Sequence, residues 1–596
     1  MRSFLHSLPV AATALTLVAA GPTVTIPAGT VEGTICTNGA NAFLNLPYAV
    51  PPVGDLRWTS PQAYNQSFPG NSYDATKLGN ICIQFGGKEF SDPETSSEDC
   101  LKLNVWAPAG ASSSSNLPVK VWIYGGGQQG GGIANPLFNG CNLAAHNTLL
   151  VTINYRLGPL GYLTLDAAGI GGNFATQDLL IGLDWVQSNI AAFGGDPKKV
   201  VLFGESAGAE NVFILSTLPQ ATSLFNAAIW ESGAGPQLAT PEVANTLGTS
   251  YATKLNCTTG NVATCLRAVS TDALVATAPL QGFGIIYSGL QVADFQPHVD
   301  GKIIPEQPWS VGPKVPMIFG GNADEGGLFA IGAFDAVNVS AANYTIFLQQ
   351  NFGAGADLVA KQYPLTLPAF TTPEKEGSPL SPAFIAIANI ITDVQFTCPL
   401  YQAMLKATAN NISVYSYTSQ HTPSCPWVSF PPEEALALIG ATHTSEIPMI
   451  FGNLANQPLI SNGTCTSTPA EFAISENLIA AWTAMAVSGN PSAGNLQWPQ
   501  WDNSSSNGVI IGANSTTVGK IDYSFCEFWD PVIATYLGFS NSSENGTSGS
   551  GSGSGGSGSG SGNSTTSKKN GAEKGVEIGV WGLTVFIGIA MSVLMS

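Results

Sequence analysis

The chain has 596 residues, of which 44% are hydrophobic and only 10% charged, and its formal net charge at pH 7 is −19. Such a length and apolar content can bury a large core, but 20 basic residues against 39 acidic ones lack the clustered Lys and Arg that neutralise phosphates. Nucleic acid and anionic lipid headgroups are therefore excluded as partners; cationic substrates stay open, and the acidity otherwise serves solubility.

Residues 1–20 begin with Arg2, continue through an apolar run from Leu8 to Ala20 and end in Val18-Ala-Ala20, the layout of a secretory signal peptide. The chain is thus expected to mature in an oxidising compartment, where its ten cysteines invite pairing. Residues 21–540 alternate strand-like apolar runs with helix-length segments. Strands are expected at Val119–Tyr124, Leu149–Asn154, Val200–Phe203, Ala227–Glu231, Pro316–Gly320 and Ser413–Thr418, with a helix over Asn173–Ala192. This alternation implies an α/β fold with a mostly parallel central sheet flanked by helices. No internal repeat is evident.

The first of these strands runs straight into Gly125-Gly-Gly127, where successive backbone N–H groups are free to turn toward one point. The third breaks into Gly204-Glu-Ser-Ala-Gly208 and then into helix-compatible residues. A serine held in a tight strand-to-helix turn has no room for neighbouring Cβ atoms, so Ser206 reads as a nucleophile on an elbow. Its hydroxyl needs a base, and the base needs an acid to orient it. Val315-Pro-Met-Ile-Phe-Gly-Gly-Asn-Ala-Asp-Glu325 ends a strand with two adjacent acids, Asp324 and Glu325, which the sequence pattern alone does not separate. Of the five histidines, His6 lies in the leader, His146 precedes a strand on the side away from the strand C-terminal ends, and His298 reads as a loop residue. His421, in a Pro-rich loop before Cys425, suits a structural role. His443 follows Gly440-Ala-Thr and precedes an apolar helix start, and it comes after both nucleophile and acid in the order this chemistry requires. Glu210 lies one helical turn beyond Ser206, either sharing a face near the site or paired within the packed helix.

These segments resemble the type-B carboxylesterase/lipase family, the cholinesterase-like α/β hydrolases, in the manner of a fungal-type secreted member. The resemblance runs from about Val24 to Leu537 and includes Asn45-Leu-Pro-Tyr-Ala-Val-Pro-Pro-Val-Gly-Asp-Leu-Arg57, Glu98-Asp-Cys-Leu-Lys-Leu-Asn-Val-Trp106, Phe193-Gly-Gly-Asp-Pro197 and the elbow. It implies an α/β-hydrolase fold with Ser206, Glu325 and His443 as the triad, and an oxyanion hole made by Gly126, Gly127 and Ala207. Glu205 matches a supporting position beside the nucleophile. The resemblance also implies disulfides Cys82–Cys100, Cys257–Cys265 and Cys398–Cys526, a small antiparallel hairpin region at the N-terminus, and no cofactor. Cys36, Cys141, Cys425 and Cys465 are left over, with Cys425–Cys465 a pairing the remainder allows. Close Cys-x-x-Cys spacing with histidines is missing, so no metal is expected. One departure concerns the residues after the three glycines. The family carries an aromatic there and this chain has Gln128-Gln129, which suggests a more polar acyl side.

The expected activity is hydrolysis of a small-molecule carboxylic ester through an acyl-enzyme. In family members with lids or choline selectivity, the loop equivalent to that between Cys82 and Cys100 is longer or holds a tryptophan. Here it is short and has none, which points to soluble, uncharged esters. A lipase or sterol esterase is the alternative among enzymes; a non-catalytic, neuroligin-like adhesion protein is the alternative outside them.

Eleven Asn-x-Ser/Thr sequons run from Asn65 to Asn563, and the one at Asn256 includes Cys257. Residues 541–570 form a Gly/Ser-rich stalk that cannot bury enough surface to fold. Residues 571–596 end in an apolar tail from Ile578 to Met595, which reads as a GPI-attachment signal removed on processing, with Asn570 as attachment site and Asn563 as runner-up. A single transmembrane helix is the competing reading. The expected location is the extracellular face of the plasma membrane or the cell wall.

Overall fold

The computed structural model describes residues 21–85, 95–235, 237–278, 295–334, 336–365, 380–429 and 431–536. The signal peptide, the stalk, the C-terminal tail and residues 86–94 of the Cys82–Cys100 loop lie outside these.

Three strands, β1 (Thr23–Ile26), β2 (Gly29–Glu32) and, after the pair β3 (Thr34–Ile35) and β4 (Asn41–Pro47), β5 (Ser72–Asp74), start the chain. β1, β2 and β5 form a small sheet of their own, with β1 and β2 antiparallel. The central sheet collects β3 and β4 together with β6 (Lys102–Ala107), β7 (Leu117–Ile123) and β8 (Leu149–Ile153). After a two-stranded ribbon, β9 (Thr164–Leu165) with β10 (Ile170–Gly171), the same sheet takes β11 (Gly195–Glu205), β12 (Ala227–Glu231) and β13 (Met317–Asn322). It is completed by β14 (Val414–Ser419), β15 (Asn507–Ile511) and β16 (Thr516–Lys520). The order across its 11 strands is β16-β15-β14-β13-β12-β11-β7-β8-β6-β4-β3.

From β8 to β15 every neighbouring pair is parallel, and the pairs outside them are antiparallel. Parallel strands need cover on both faces, which is why β8 and β12 are buried at every residue and read as unbroken apolar runs. From β7 the chain moves to β8 on one side and later to β11 on the other, so the strand order reverses between β7 and β11. The crevice at the C-terminal ends of such a pair is where open α/β sheets place their ligands.

The expected strands are all present, Ala227–Glu231 with the expected bounds and the others with shifted ends. β11 begins at Gly195 rather than Val200, because its pairing with β7 changes register between those two residues across Asp-Pro-Lys-Lys, a stretch that reads as a turn. The expected helix at 173–192 is an α-helix over Phe174–Asn189 followed by a 3₁₀ turn, Ile190–Phe193, that stops at Gly194 with φ 100°. All ten cysteines pair, as Cys36–Cys141, Cys82–Cys100, Cys257–Cys265, Cys398–Cys526 and Cys425–Cys465. Pro382–Ala409 is long and apolar enough to cross a membrane, but it is a core helical stretch whose most apolar window is 83% buried. Its middle, Thr392–Thr397, is a π-helical segment.

Candidate active site

The elbow closes the C-terminal end of β11. Ser206 has φ 57° and ψ −129°, a left-handed conformation that only a tightly determined turn imposes on a serine. A Cβ on Gly204 would come within 2.7 Å of Ile123 O, and one on Gly208 within 2.1 Å of the same atom, so both glycines let the elbow press on the end of β7. The Ser206 N–H donates to Glu231 O at 2.9 Å, which fastens the turn to β12. Ser206 is half-buried among buried neighbours.

The three-glycine run stands against this turn. A Cβ on Gly125 would fall 2.7 Å from both Glu205 O and the Ser206 Cβ. Gly126 and Gly127 have φ 110° and 61°, which rotate their peptide planes out of strand geometry. Among the described residues, no acceptor takes the N–H of Gly126, Gly127 or Ala207, the last being a first-turn amide of the helix Ala207–Thr217. Gln128 and Gln129 depart from the expectation of a polar wall. Both are buried, the first donating to Ala207 O and Glu210 and the second to Phe295 O at 3.0 Å, so their amides serve the interior.

His443 is buried, with Nδ1 2.7 Å from Glu325 Oε2; an acceptor at that distance sets the tautomer with its proton on Nδ1. The other Glu325 oxygen accepts from Asn322 N at 2.7 Å. The neighbouring acids therefore part ways. Asp324 turns its carboxylate to Ala441 N at 3.1 Å and its own N–H to Ala441 O, strapping the end of β13 to the segment that carries His443. The rings of Phe329 and Phe396 lie 5.0 and 4.9 Å from the imidazole, the second delivered by the π-helical segment. His443 Nε2 stands 3.1 Å from Glu205 Oε1 and makes no hydrogen bond to Ser206 Oγ among the described residues.

A buried acidic network lies behind these groups. Glu446 accepts from Asn322 Nδ2 at 2.6 Å and from Ser232 Oγ at 3.2 Å. Burial, followed by the charges of Glu446, Glu325 and Glu231, pushes the Glu205 carboxyl well above the usual range, which favours its neutral form beside the imidazole. Glu210 is also buried, and desolvation pushes it up to about 7 despite the Gln128 amide on its Oε2. Lys120, a lone cation in β7, donates to Ile479 O at 3.0 Å and is pushed down to about 7 by burial.

The other histidines are engaged elsewhere. His421 Nε2 lies 2.8 Å from Glu471 in the N-terminal capping box of helix Pro469–Ser488. His298 is buried against Thr164 Oγ1 at 3.1 Å, and exposed-side His146 pairs with Glu476. Sequence reasoning missed Glu446, Asn322, Phe329 and Phe396. Glu446 offers a signal, an acid three residues after His443 and directly before the apolar run Ile447–Phe451; the aromatic rings offer none that separates them from core residues.

Comparison with known proteins identifies the family. The model of the carboxylesterase family matches residues 20–529. A fumonisin B1 esterase from Sphingopyxis macrogoltabida is 32% identical over 502 residues, covering 80% of this chain and 83% of that one. A para-nitrobenzyl esterase from Bacillus subtilis is 31% identical, covering 83% and 95%. A cholinesterase from Mus musculus is 30% identical, covering 85% and 86%. An α/β sheet whose strand order reverses beside the elbow and this match over most of the length lead to one conclusion: the chain belongs to the carboxylesterase family and is a carboxylic ester hydrolase.

Proposed function

We propose that the protein is a secreted, surface-anchored serine esterase that works through an acyl-enzyme on soluble, uncharged carboxylic esters. The observation that carries the mechanism is the buried pair of His443 Nδ1 and Glu325 Oε2, 2.7 Å apart, at the same sheet end as the strained Ser206 elbow. His443 Nε2 takes the Ser206 Oγ proton as Oγ attacks the ester carbonyl carbon. The carbonyl oxygen becomes an oxyanion held by the N–H groups of Gly126, Gly127 and Ala207. Collapse breaks the bond to the alcohol oxygen, which leaves with the proton from the imidazolium, and Glu325 steadies the charged ring. Water repeats the sequence on the acyl-enzyme and releases the acid. The Ser206–His443 bond forms with substrate in place, as catalytic hydrogen bonds tighten in the Michaelis complex.

Support for the outer-surface setting comes from the signal-like leader, the stalk and the apolar tail with Asn570 before it. Five disulfides suit an oxidising compartment, and every sequon asparagine among the described residues is exposed, as glycan addition requires. The short Cys82–Cys100 loop without tryptophan supports small neutral esters over choline esters. The test is hydrolysis of p-nitrophenyl esters from acetate to laurate by the secreted protein and by Ser206→Ala. The proposal predicts loss of turnover on the order of 10⁴-fold or more in the variant. Equal turnover by a folded variant would overturn it, and a choline ester preferred over the uncharged ester of the same acid would overturn the substrate class.

A further inference from the structure

Gln128 follows the glycine run directly, is wholly buried and has φ 64°, a left-handed backbone that a non-glycine residue takes only when its surroundings hold it there. Every hydrogen-bonding position of its side-chain amide is filled. Nε2 donates to Ala207 O at 3.1 Å and to Glu210 Oε2 at 3.2 Å. Oε1 accepts from Tyr162 OH at 2.7 Å and from Asn211 Nδ2 at 3.1 Å. Its own carbonyl accepts from Gly158 N at 2.7 Å. Three of the four side-chain partners, Ala207, Glu210 and Asn211, sit in the first turn and a half of the helix that begins at the nucleophile.

We propose that Gln128 is a positioning residue for the reaction, an amide that bolts the glycine loop to the helix behind Ser206 so that the N–H groups of Gly126, Gly127 and Ala207 converge on one point. This rests on the oxyanion role given above to those three groups. They belong to two separate chain segments, and an oxyanion hole is effective only if its donors are fixed before charge develops. Gln128 is the side chain that joins the segments. It grips Ala207 by the carbonyl of the residue whose N–H is the third donor. Glu210, in turn, is a partner of the clamp, which accounts for a carboxyl one turn beyond the nucleophile.

Two single variants and one double variant test this. Gln128→Met keeps length and volume but breaks all four side-chain bonds. Gln128→Glu keeps the acceptors for Tyr162 and Asn211 and sets an oxygen against Ala207 O and Glu210. Combining Gln128→Glu with Glu210→Gln returns one donor to the pair. The readouts are kcat, KM and the Ki of an alkyl trifluoromethyl ketone, whose adduct carries an oxyanion, each normalised to active sites titrated with a fluorophosphonate. Expected for each single variant is a loss of about 10- to 100-fold in kcat, a matching rise in Ki and a KM within about threefold, since a misplaced donor is missed chiefly in the transition state. The double variant recovers part of both losses. Folded single variants with kcat and Ki within about threefold of the parent, or a double variant no better than Gln128→Glu, would overturn the inference. If Gln128→Met fails to fold, the comparison of Gln128→Glu with the double variant decides. Failure of the underlying reading looks different: the parent enzyme would then bind the trifluoromethyl ketone no better than the corresponding methyl ketone.

Discussion

Glu205 and Glu325 both approach the imidazole of His443, at 3.1 and 2.7 Å, yet their surroundings assign them different tasks. Glu325 keeps one oxygen on Nδ1 and the other on a backbone N–H, an arrangement that fixes the ring and favours the imidazolium when it forms. For Glu205, burial and then the charges of three other carboxyls raise the carboxyl pKa and favour the neutral form. An uncharged isostere should therefore replace Glu205 and fail to replace Glu325. Glu205→Gln is expected to keep kcat/KM within about threefold, whereas Glu325→Gln loses on the order of 10³- to 10⁴-fold by mispresenting the ring. Steady-state kinetics at pH 7.5 measure both; a collapse in Glu205→Gln alone would reverse the two roles. The adjacency of Asp324 and Glu325 shows what the sequence leaves open. Successive residues at a strand end point in different directions, and only the turn geometry shows that one carboxylate meets Ala441 while the other meets His443. Gln128 is a sharper example, because a residue in a left-handed turn sends its side chain inward where the pattern suggests a pocket wall.

At the scale of elements, helix Pro469–Ser488 supports the site from behind, since Ile479 O takes the Lys120 ammonium of β7 and Trp482 Nε1 donates to Glu231 of β12 at 2.6 Å. Its N-terminus is a capping box between Thr468 and Glu471 with Pro469 in the first turn. Glu471 also accepts from His421 and from Ser424 N at 2.8 Å each, and from the Ser424 hydroxyl, so one carboxylate joins the helix start to the loop held by Cys425–Cys465. Burial opposes its ionisation, but these bonds outweigh it and hold the carboxyl well below the usual range. Thr468→Ala should cost about 1 kcal/mol, as a lost cap does. Glu471→Ala should cost more, roughly 3 kcal/mol, because buried donors are left unmet. Urea unfolding of the two variants gives the comparison; equal losses would mean that the His421 loop contributes nothing. The strands were legible because burial on both faces writes them as apolar runs. The Cys36–Cys141 bridge was not, since its halves are 105 residues apart and no local pattern relates them.

For the whole molecule, the buried ionisable groups set a pH dependence of stability. Desolvation pushes Glu210 and Asp393 up to about 7 from ordinary values of 4.5 and 3.8. Between about pH 4 and 7 the unfolded chain has released these protons and the folded one retains them, so stability falls as pH rises through that window. Growing negative charge, −19 at pH 7, acts in the same direction. The lowered carboxyl of Glu471 acts oppositely but only below about pH 4.5, where it loses stability as pH falls. Lys120, pushed down to about 7, adds stability as pH rises from there toward 10.5. The apparent thermal midpoint at fixed scan rate should thus be highest at about pH 4.5 and decline toward pH 7, with a shallower decline in Glu210→Gln. A midpoint that rises between those values would refute the assignment.

The central claim, that Ser206 carries the acyl group, is tested most directly by inactivating the secreted protein with a fluorophosphonate and locating the adduct by peptide mass spectrometry. One phosphonyl group per chain on the peptide containing Ser206, with activity lost in proportion to labelling, is the predicted result. An adduct on another residue, or full activity in a protein labelled at Ser206, would contradict it.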